Sequence, residues 1–208
     1  MEINLSIEEL EKRTHKDYLI RKQMLKEDAP EYNSLSDGDK EALKHLVRAA
    51  QYANIIYMKQ DNELNLPFLN FLNDEISKGN KQAELTKILF DAQLGIIGID
   101  SESKKVILLK DAQEKEGKAF YPSDLSKEEL HSILKSMIKN GEIEEVKNIL
   151  NQRTIVKRDG KKLKANDYTV EFKEEFEKMA QELELASKSS TNVDFNIECN
   201  SSFDKSLG

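Results

Sequence analysis

The sequence predicts a mainly α-helical, multi-helical fold with a small β component. Apolar residues recur at three- and four-residue spacing through residues 36–186, which is typical of amphipathic helices. Three predicted helices begin with a serine that is followed three residues later by an acidic residue, the pattern of a helix N-cap. One β-hairpin pattern lies near residues 154–164, and residues 106–109 form a candidate short strand.

The N-terminal half is predicted to hold four helices, at about residues 7–24, 37–59, 67–78 and 81–93. The first opens at Ser6 and carries only a thin apolar face. Pro30, Asn33 and Ser34 then interrupt the helical pattern. The helix over 37–59 has the clearest pattern, and its predicted apolar face contains Leu43, Leu46, Val47, Ala50 and Ala53.

The helical period disappears between residues 94 and 118. Within this stretch Val106-Ile107-Leu108-Leu109 predicts one short buried strand, although a run of four apolar residues also fits a helix fragment. Residues 118–121 precede Pro122 and are predicted to be extended, because the residue before a proline is kept out of the helical region.

The C-terminal half is predicted to hold helices at about residues 126–140, 142–150 and 170–187. Between the last two, the turn pair Asp159-Gly160 joins the two strands of the predicted hairpin. Residues 190–208 are polar and aperiodic, which predicts a poorly ordered tail. We therefore expect one mostly helical domain over residues 1–189.

Charge and composition exclude several classes of function. The net charge of −7 disfavours nucleic-acid binding. The densest basic run, Arg153–Lys164, indicates either contact with an anionic partner or a hairpin whose edge is guarded by lysines. No apolar stretch approaches the about 20 residues that cross a bilayer. Cys199 is the single cysteine, and the N-terminus lacks a signal-peptide pattern, so we expect a cytoplasmic protein.

No residue pattern in the chain predicts a catalytic or metal site. His15, His45 and His131 have no partner at ligand spacing, and Cys199 has no neighbouring histidine. The adjacent glutamates at 128–129, 144–145 and 174–175 diverge on a helix, so they do not form an acid and base pair. Gly95 and Gly98 lack the third glycine of a dinucleotide loop.

Several motifs in order resemble one family. They are Leu35-Ser36-Asp37 before residues 43–60, the turn at 95–100, the segment Gly117 to Glu129 with its central Phe-Tyr-Pro, residues 154–160, and residues 168–180. Over roughly residues 25–188 this order is similar to bacterial members of the dipeptidyl-peptidase III family of zinc metallopeptidases. The family's zinc motif, two histidines flanking a glutamate, and its second motif with a glutamate ligand are both absent here.

The resemblance implies the non-catalytic N-terminal portion of a two-lobed peptidase whose cleft closes on peptides. Such a portion is expected to be inactive alone, with zinc only in full-length relatives and no cofactor in this chain. Phe120 and Tyr121 are the candidate substrate-binding residues, and packing is their alternative role. The chain is then a truncated relative. Its expected binding partner is the missing catalytic lobe, a peptide or another protein, or a second copy of the chain. The alternative function is a stand-alone helical interaction domain that kept the fold without the chemistry.

Overall fold

The computed structural model describes residues 1–16, 19, 28–100 and 102–191. These residues form a mainly α fold with two small antiparallel hairpins, as the sequence predicts. They pack as two compact units. The first consists of the described residues up to 19 and from 57 to 171, and the second of those from 28 to 56 and from 172 to 191. The single domain expected over residues 1–189 stays a prediction.

Three helices build the N-terminal part of the first unit: α1 (Ile7–Thr14), α4 (Asn65–Ser77) and α5 (Lys81–Gln93). Helix α2 (Pro30–Asn33) and most of helix α3 (Asp37–Asp61) lie in the second unit. Ser6 caps α1 by accepting from the Glu9 amide. The helix ends at Thr14 and not near residue 24, because His15 adopts an extended conformation. The remainder of that predicted helix lies outside the described residues, apart from residues 15, 16 and 19.

A short hairpin packs beside these helices. Its strands β1 (Ile97–Ile99) and β2 (Lys105–Ile107) pair antiparallel, and the Asp100 carboxylate closes the turn by accepting from the Glu102 and Lys104 amides. The sequence predicted only one strand, at 106–109. Leu108 and Leu109 are buried beyond the end of β2, and Leu109 instead forms an isolated bridge with Ile3.

The remainder of the first unit surrounds a second hairpin. Helices α6 (Lys127–Lys139) and α7 (Ile143–Ile149) precede strands β3 (Thr154–Asp159) and β4 (Lys162–Asp167) and the short α8 (Tyr168–Glu171). Gly160 begins the two-residue turn of the hairpin with a φ of 61°, a conformation that a side chain would strain. The two helices and the hairpin share one apolar core of Leu134, Met137, Val146, Ile149, Val156 and Leu163.

The second unit contains α2 (Pro30–Asn33), most of α3 (Asp37–Asp61), and α9 (Lys173–Ser189). Pro30, which was predicted only to break a helix, begins α2, where its missing N–H costs nothing. The helix predicted over 170–187 is interrupted at Phe172, whose φ of −113° and ψ of 32° separate α8 from α9. Ser190, placed in the predicted tail, is buried and bonds to Asp39, while residues 192–208 lie outside the described residues.

Only part of the predicted apolar face of α3 is packed: Leu46 contacts both apolar clusters of the second unit, whereas other predicted members are exposed. Ala42, His45 and Ala49 are buried, whereas Val47 is 52% exposed and Ala50 is also exposed. Ala42 packs with Ala186 of α9, and Ala49 packs with Met179 and Leu183. Small side chains of α3 therefore contribute to its contact with α9. None of the helices in the described part of the chain has the length and hydrophobicity to cross a membrane.

Candidate functional site

The segment with the candidate residues Phe120 and Tyr121 is a turn and not an extended strand. Lys118 has a positive φ of 48°, and the Phe120 amide donates to the Gly117 carbonyl at 3.1 Å. The ring of Tyr121 covers Gly117, where an added Cβ would lie 3.2 Å from that ring. Proline restricts only the residue directly before it, so Pro122 constrains Tyr121 and leaves the preceding residues free to turn.

Tyr121 is anchored to the core of the first unit. Its ring packs against the apolar cluster shared by α6, α7 and the β3–β4 hairpin, and its hydroxyl donates to the Ile149 carbonyl at 3.0 Å. Burial raises the pKa of the Tyr121 hydroxyl, because the charged form loses solvation. The hydroxyl therefore stays protonated at neutral pH and is committed to a structural hydrogen bond.

Besides the hydrogen bond from its amide to Gly117, Phe120 makes one aromatic contact and one further backbone hydrogen bond. Its ring lies 6.1 Å from the ring of Tyr168 with an interplanar angle of 39°. Its carbonyl accepts from the Val156 amide at 2.8 Å, which ties the turn to β3. These contacts describe packing for both candidate residues. Contact with a substrate stays a prediction.

Beside this turn lies a groove of about 440 Å³, which we call the β3 groove. Its walls come from the end of α3, the segment from Lys115 to Asp124, and β3. Each cation in the walls pairs with a carboxylate of the same unit. The pairs are Lys115–Glu63, Lys118–Asp61, Lys157–Glu171 and Arg158–Asp124. The groove therefore presents neutralised charges.

Arg158 makes the most extensive of these ion pairs. Its Nη1 and Nη2 atoms lie 3.0 and 2.9 Å from the two carboxylate oxygens of Glu129, and its Nε lies 2.7 Å from Asp124. The hydrogen bonds from Arg158 lower the pKa of Glu129, and the two carboxylates raise the pKa of Arg158. The sequence showed Arg158 only as part of a basic run, and nothing in that run indicated its partners, Asp124 before α6 and Glu129 in α6.

Several other residues that the sequence offered for chemistry have structural contacts. His45 Nδ1 lies 2.6 Å from Glu182 within the second unit. At Gly98 an added Cβ would lie 2.1 Å from the Gln93 side chain, so the lack of a side chain at this position lets Gln93 pack against the backbone. Glu144 and Glu174 pair with lysines of their own helices. Cys199 lies outside the described residues.

The described residues do not fit a zinc site. Within residues 1–16, 19, 28–100 and 102–191, no three His, Cys, Asp or Glu side chains lie where they could hold a metal ion together. A zinc centre needs three or four such ligands at one point.

The fold is that of one part of a dipeptidyl-peptidase III. The solved structure of dipeptidyl-peptidase III from Corallococcus sp. strain EGB matches with a TM-score of 0.71 and 20% identity, over 97% of this chain and 35% of that chain. The structure of DPP III from Caldithrix abyssi matches with a TM-score of 0.66 and 19% identity, over 83% of this chain and 31% of that chain.

The resemblance to this family is thus confirmed at the level of the fold. The chain spans about a third of the length of the solved structures that it matches. At 19% and 20% sequence identity, these matches show a shared fold and do not show that this chain has the activity of those proteins. No protein-family model matches the sequence, and no curated protein sequence matches it significantly.

Proposed function

We propose that this chain is the non-catalytic N-terminal scaffold region of a dipeptidyl-peptidase III-like metallopeptidase and forms one wall of its peptide groove. The observation that supports the proposal is the fold agreement, which extends over 97% of this chain but only 35% of the Corallococcus chain. A region that reproduces about a third of a peptidase fold and lacks a metal-ligand cluster in its described residues is suited to support catalysis by another region.

The chain alone is proposed to be inactive. The test incubates the purified chain with a fluorogenic dipeptidyl substrate, with and without added Zn²⁺, beside the Corallococcus enzyme as the positive control. Release of dipeptide that a chelator abolishes, after mock-purified material has been subtracted, would contradict the proposed inactivity.

The scaffold role is tested with a chimera in which this chain replaces the matching third of the Corallococcus enzyme. Retained zinc-dependent turnover supports the role, and a chimera that folds and binds zinc without turnover counts against it. Within an active chimera, Tyr121→Phe separates the two roles of Tyr121. Reduced turnover at unchanged Tm indicates substrate contact, whereas a lower Tm with unchanged turnover leaves packing.

Exposed apolar side chains favour a second candidate function, a stand-alone interaction domain. In the first unit, Ile99 is 72% exposed and Val170 is 67% exposed. In the second unit, Leu185 is 45% exposed. A partner protein, a separate catalytic lobe or a second copy would cover such residues. Sedimentation of the wild type and of Ile99→Ser and Leu185→Ser tests this function, because a monomer at every concentration excludes the second copy. We also propose that the protein is cytoplasmic.

A further inference from the structure

The outer edge of β3 faces away from its partner strand. In a hairpin with a two-residue turn, the pair of residues that closes the turn is hydrogen-bonded, and non-bonded and bonded pairs then alternate along the two strands. Here the closing pair is Asp159 and Lys162. Val156 and Arg158 occupy non-bonded positions opposite Ala165 and Leu163. Their backbone N–H and C=O groups therefore point away from β4.

Two observed hydrogen bonds agree with this alternation. The Val156 amide donates outward, to the Phe120 carbonyl, at 2.8 Å. The Tyr168 amide donates to the Arg153 carbonyl at 3.1 Å, at the bonded position that continues the same register. The orientation of the β3 backbone is therefore fixed by contacts on both of its edges.

Phe120 uses only the first position on this edge. Its own amide donates to Gly117, so it does not return a bond to the Val156 carbonyl. Among the described residues, no hydrogen bond outside the β3–β4 ladder reaches the Val156 carbonyl or the Arg158 amide. One acceptor and one donor, two residues apart, thus stay available on the outer edge.

The β3 groove gives access to this edge. Four consecutive residues of β3, from Ile155 to Arg158, line it, and none of the residues of β4 does. Side chains of consecutive strand residues point to opposite faces of a sheet. A cavity that touches four of them in a row therefore runs along the edge of the strand, on the side away from β4.

We propose that this edge of β3 binds a short extended peptide segment of a partner protein, which joins the hairpin as a third strand. An outward C=O and N–H two residues apart complement the backbone of an extended peptide. Phe120 already places a carbonyl where such a strand would begin. The four cations of the groove pair with carboxylates of the same unit, so recognition depends on the peptide backbone and not on charge. This inference rests on the hairpin geometry and is independent of the proposed function.

The probe is the peptide acetyl-Lys-Thr-Val-Thr-Val-Thr-Lys-amide. Its matched control is the same peptide with every Thr and Val amide N-methylated, which removes the strand-pairing donors and keeps the side chains. NMR titration of the isotopically labelled chain follows the Val156 and Arg158 amides. We expect shifts at both amides and slower hydrogen exchange at Arg158 with the probe alone. No shift at these amides, or equal shifts with the N-methylated peptide, would overturn the proposal.

Two variants of the chain isolate the backbone donor. Arg158→Pro removes the outward N–H at an edge position that tolerates proline, whereas Arg158→Ala keeps the N–H and loses the same ion pairs. We expect the probe to bind Arg158→Pro about tenfold more weakly than Arg158→Ala, the loss of one hydrogen bond. Equal affinities of two folded variants would refute the inference. If circular dichroism shows that Arg158→Pro does not fold, the proposal is decided by comparing the binding of the probe and of the N-methylated peptide to the wild-type chain.

A second copy of the chain is the competing occupant of this edge. Sedimentation of the wild type and both variants tests it. Concentration-dependent dimerisation that Arg158→Pro abolishes and Arg158→Ala keeps would assign the edge to self-association and overturn the partner-peptide proposal. A monomer in all three supports the proposal.

Discussion

Arg158 on β3 and Glu129 in the first turn of α6 form a two-point ion pair, with nitrogen to oxygen distances of 3.0 and 2.9 Å. The residues are separated by 29 positions in sequence. Their pairing joins the hairpin to the helix that follows the Phe-Tyr-Pro turn. It also fixes the position of β3, the strand that lines one wall of the β3 groove.

This ion pair predicts a dependence of stability on pH. The hydrogen bonds from Arg158 lower the pKa of Glu129 from its usual 4.5, so the pair stabilises the fold above that pH and loses this contribution as the pH falls through the lowered pKa. Glu129→Gln should therefore lower the Tm at neutral pH, and the difference from wild type should shrink in acid. Thermal melts across this pH range measure it. Glu128→Gln, on the exposed neighbouring residue, is the control, and an equal change in both variants would contradict the prediction.

Tyr121→Phe should destabilise the chain by about 1 kcal/mol, because it removes the hydroxyl that donates to the buried Ile149 carbonyl and keeps the ring in the core. Urea denaturation measures the free energy of unfolding. Tyr57→Phe, at an exposed position of α3, is the matched control and should change it little. A neutral effect at Tyr121 would show that the hydroxyl is not needed for stability.

Asn65→Ala should lower the free energy of unfolding by about 1 to 3 kcal/mol. Asn65 is fully buried, accepts from the Ile96 amide at 2.9 Å and donates to the Met58 carbonyl at 3.0 Å. The substitution leaves the Ile96 amide without this acceptor, whereas the Met58 carbonyl keeps the hydrogen bond from the Asn62 amide. Equilibrium unfolding followed by circular dichroism gives the value. Asn54→Ala on the exposed face of α3 should be neutral or slightly stabilising, since alanine has the higher helix propensity.

Gly98→Ala should destabilise by about 1 to 3 kcal/mol through overpacking, since its Cβ would lie 2.1 Å from Gln93 Oε1. Gln93→Ala in the same chain should remove part of this cost, because it removes the Oε1 and Cδ atoms but keeps the Gln93 Cβ, which lies 2.8 Å from the added atom. A double-mutant cycle of unfolding free energies measures the coupling between the two sites. Additive effects would show that the contact with Gln93 is not the cause.

Gly38→Ala provides a contrasting case in the second unit. Its Cβ would lie 2.4 Å from the backbone carbonyl oxygen of Ser189, which no side-chain substitution can clear. We expect the substitution to lower the free energy of unfolding by about 1 to 3 kcal/mol, as measured by the same unfolding experiments. Rescue of Gly38→Ala by Ser189→Ala would contradict this account, because that substitution leaves the carbonyl in place.

The sequence by itself determined the features that depend on neighbours within about four residues. Ser6 and Ser126 cap their helices through amides three positions on, as predicted. The hairpin forms beside Gly160 as the Asp-Gly pair indicated, but its two-residue turn is Gly160-Lys161, one residue later than predicted, because Asp159 is the last residue of β3 and pairs with Lys162. The order of motifs also indicated the fold that the two solved peptidases share. Each of these signals is local, so one sequence is enough to detect it.

Only the tertiary structure decided which surfaces meet. On α3 the larger Val47 stays exposed while Ala42 and Ala49 are buried, because α9 packs against the face that carries the two alanines. The pairing of Arg158 with Glu129 likewise required β3 and the start of α6 to be brought together. A hydrophobic pattern or a run of charged residues specifies the kind of surface that a segment presents. The partner that it meets depends on the packing of distant segments, which is set by the geometry of the whole core.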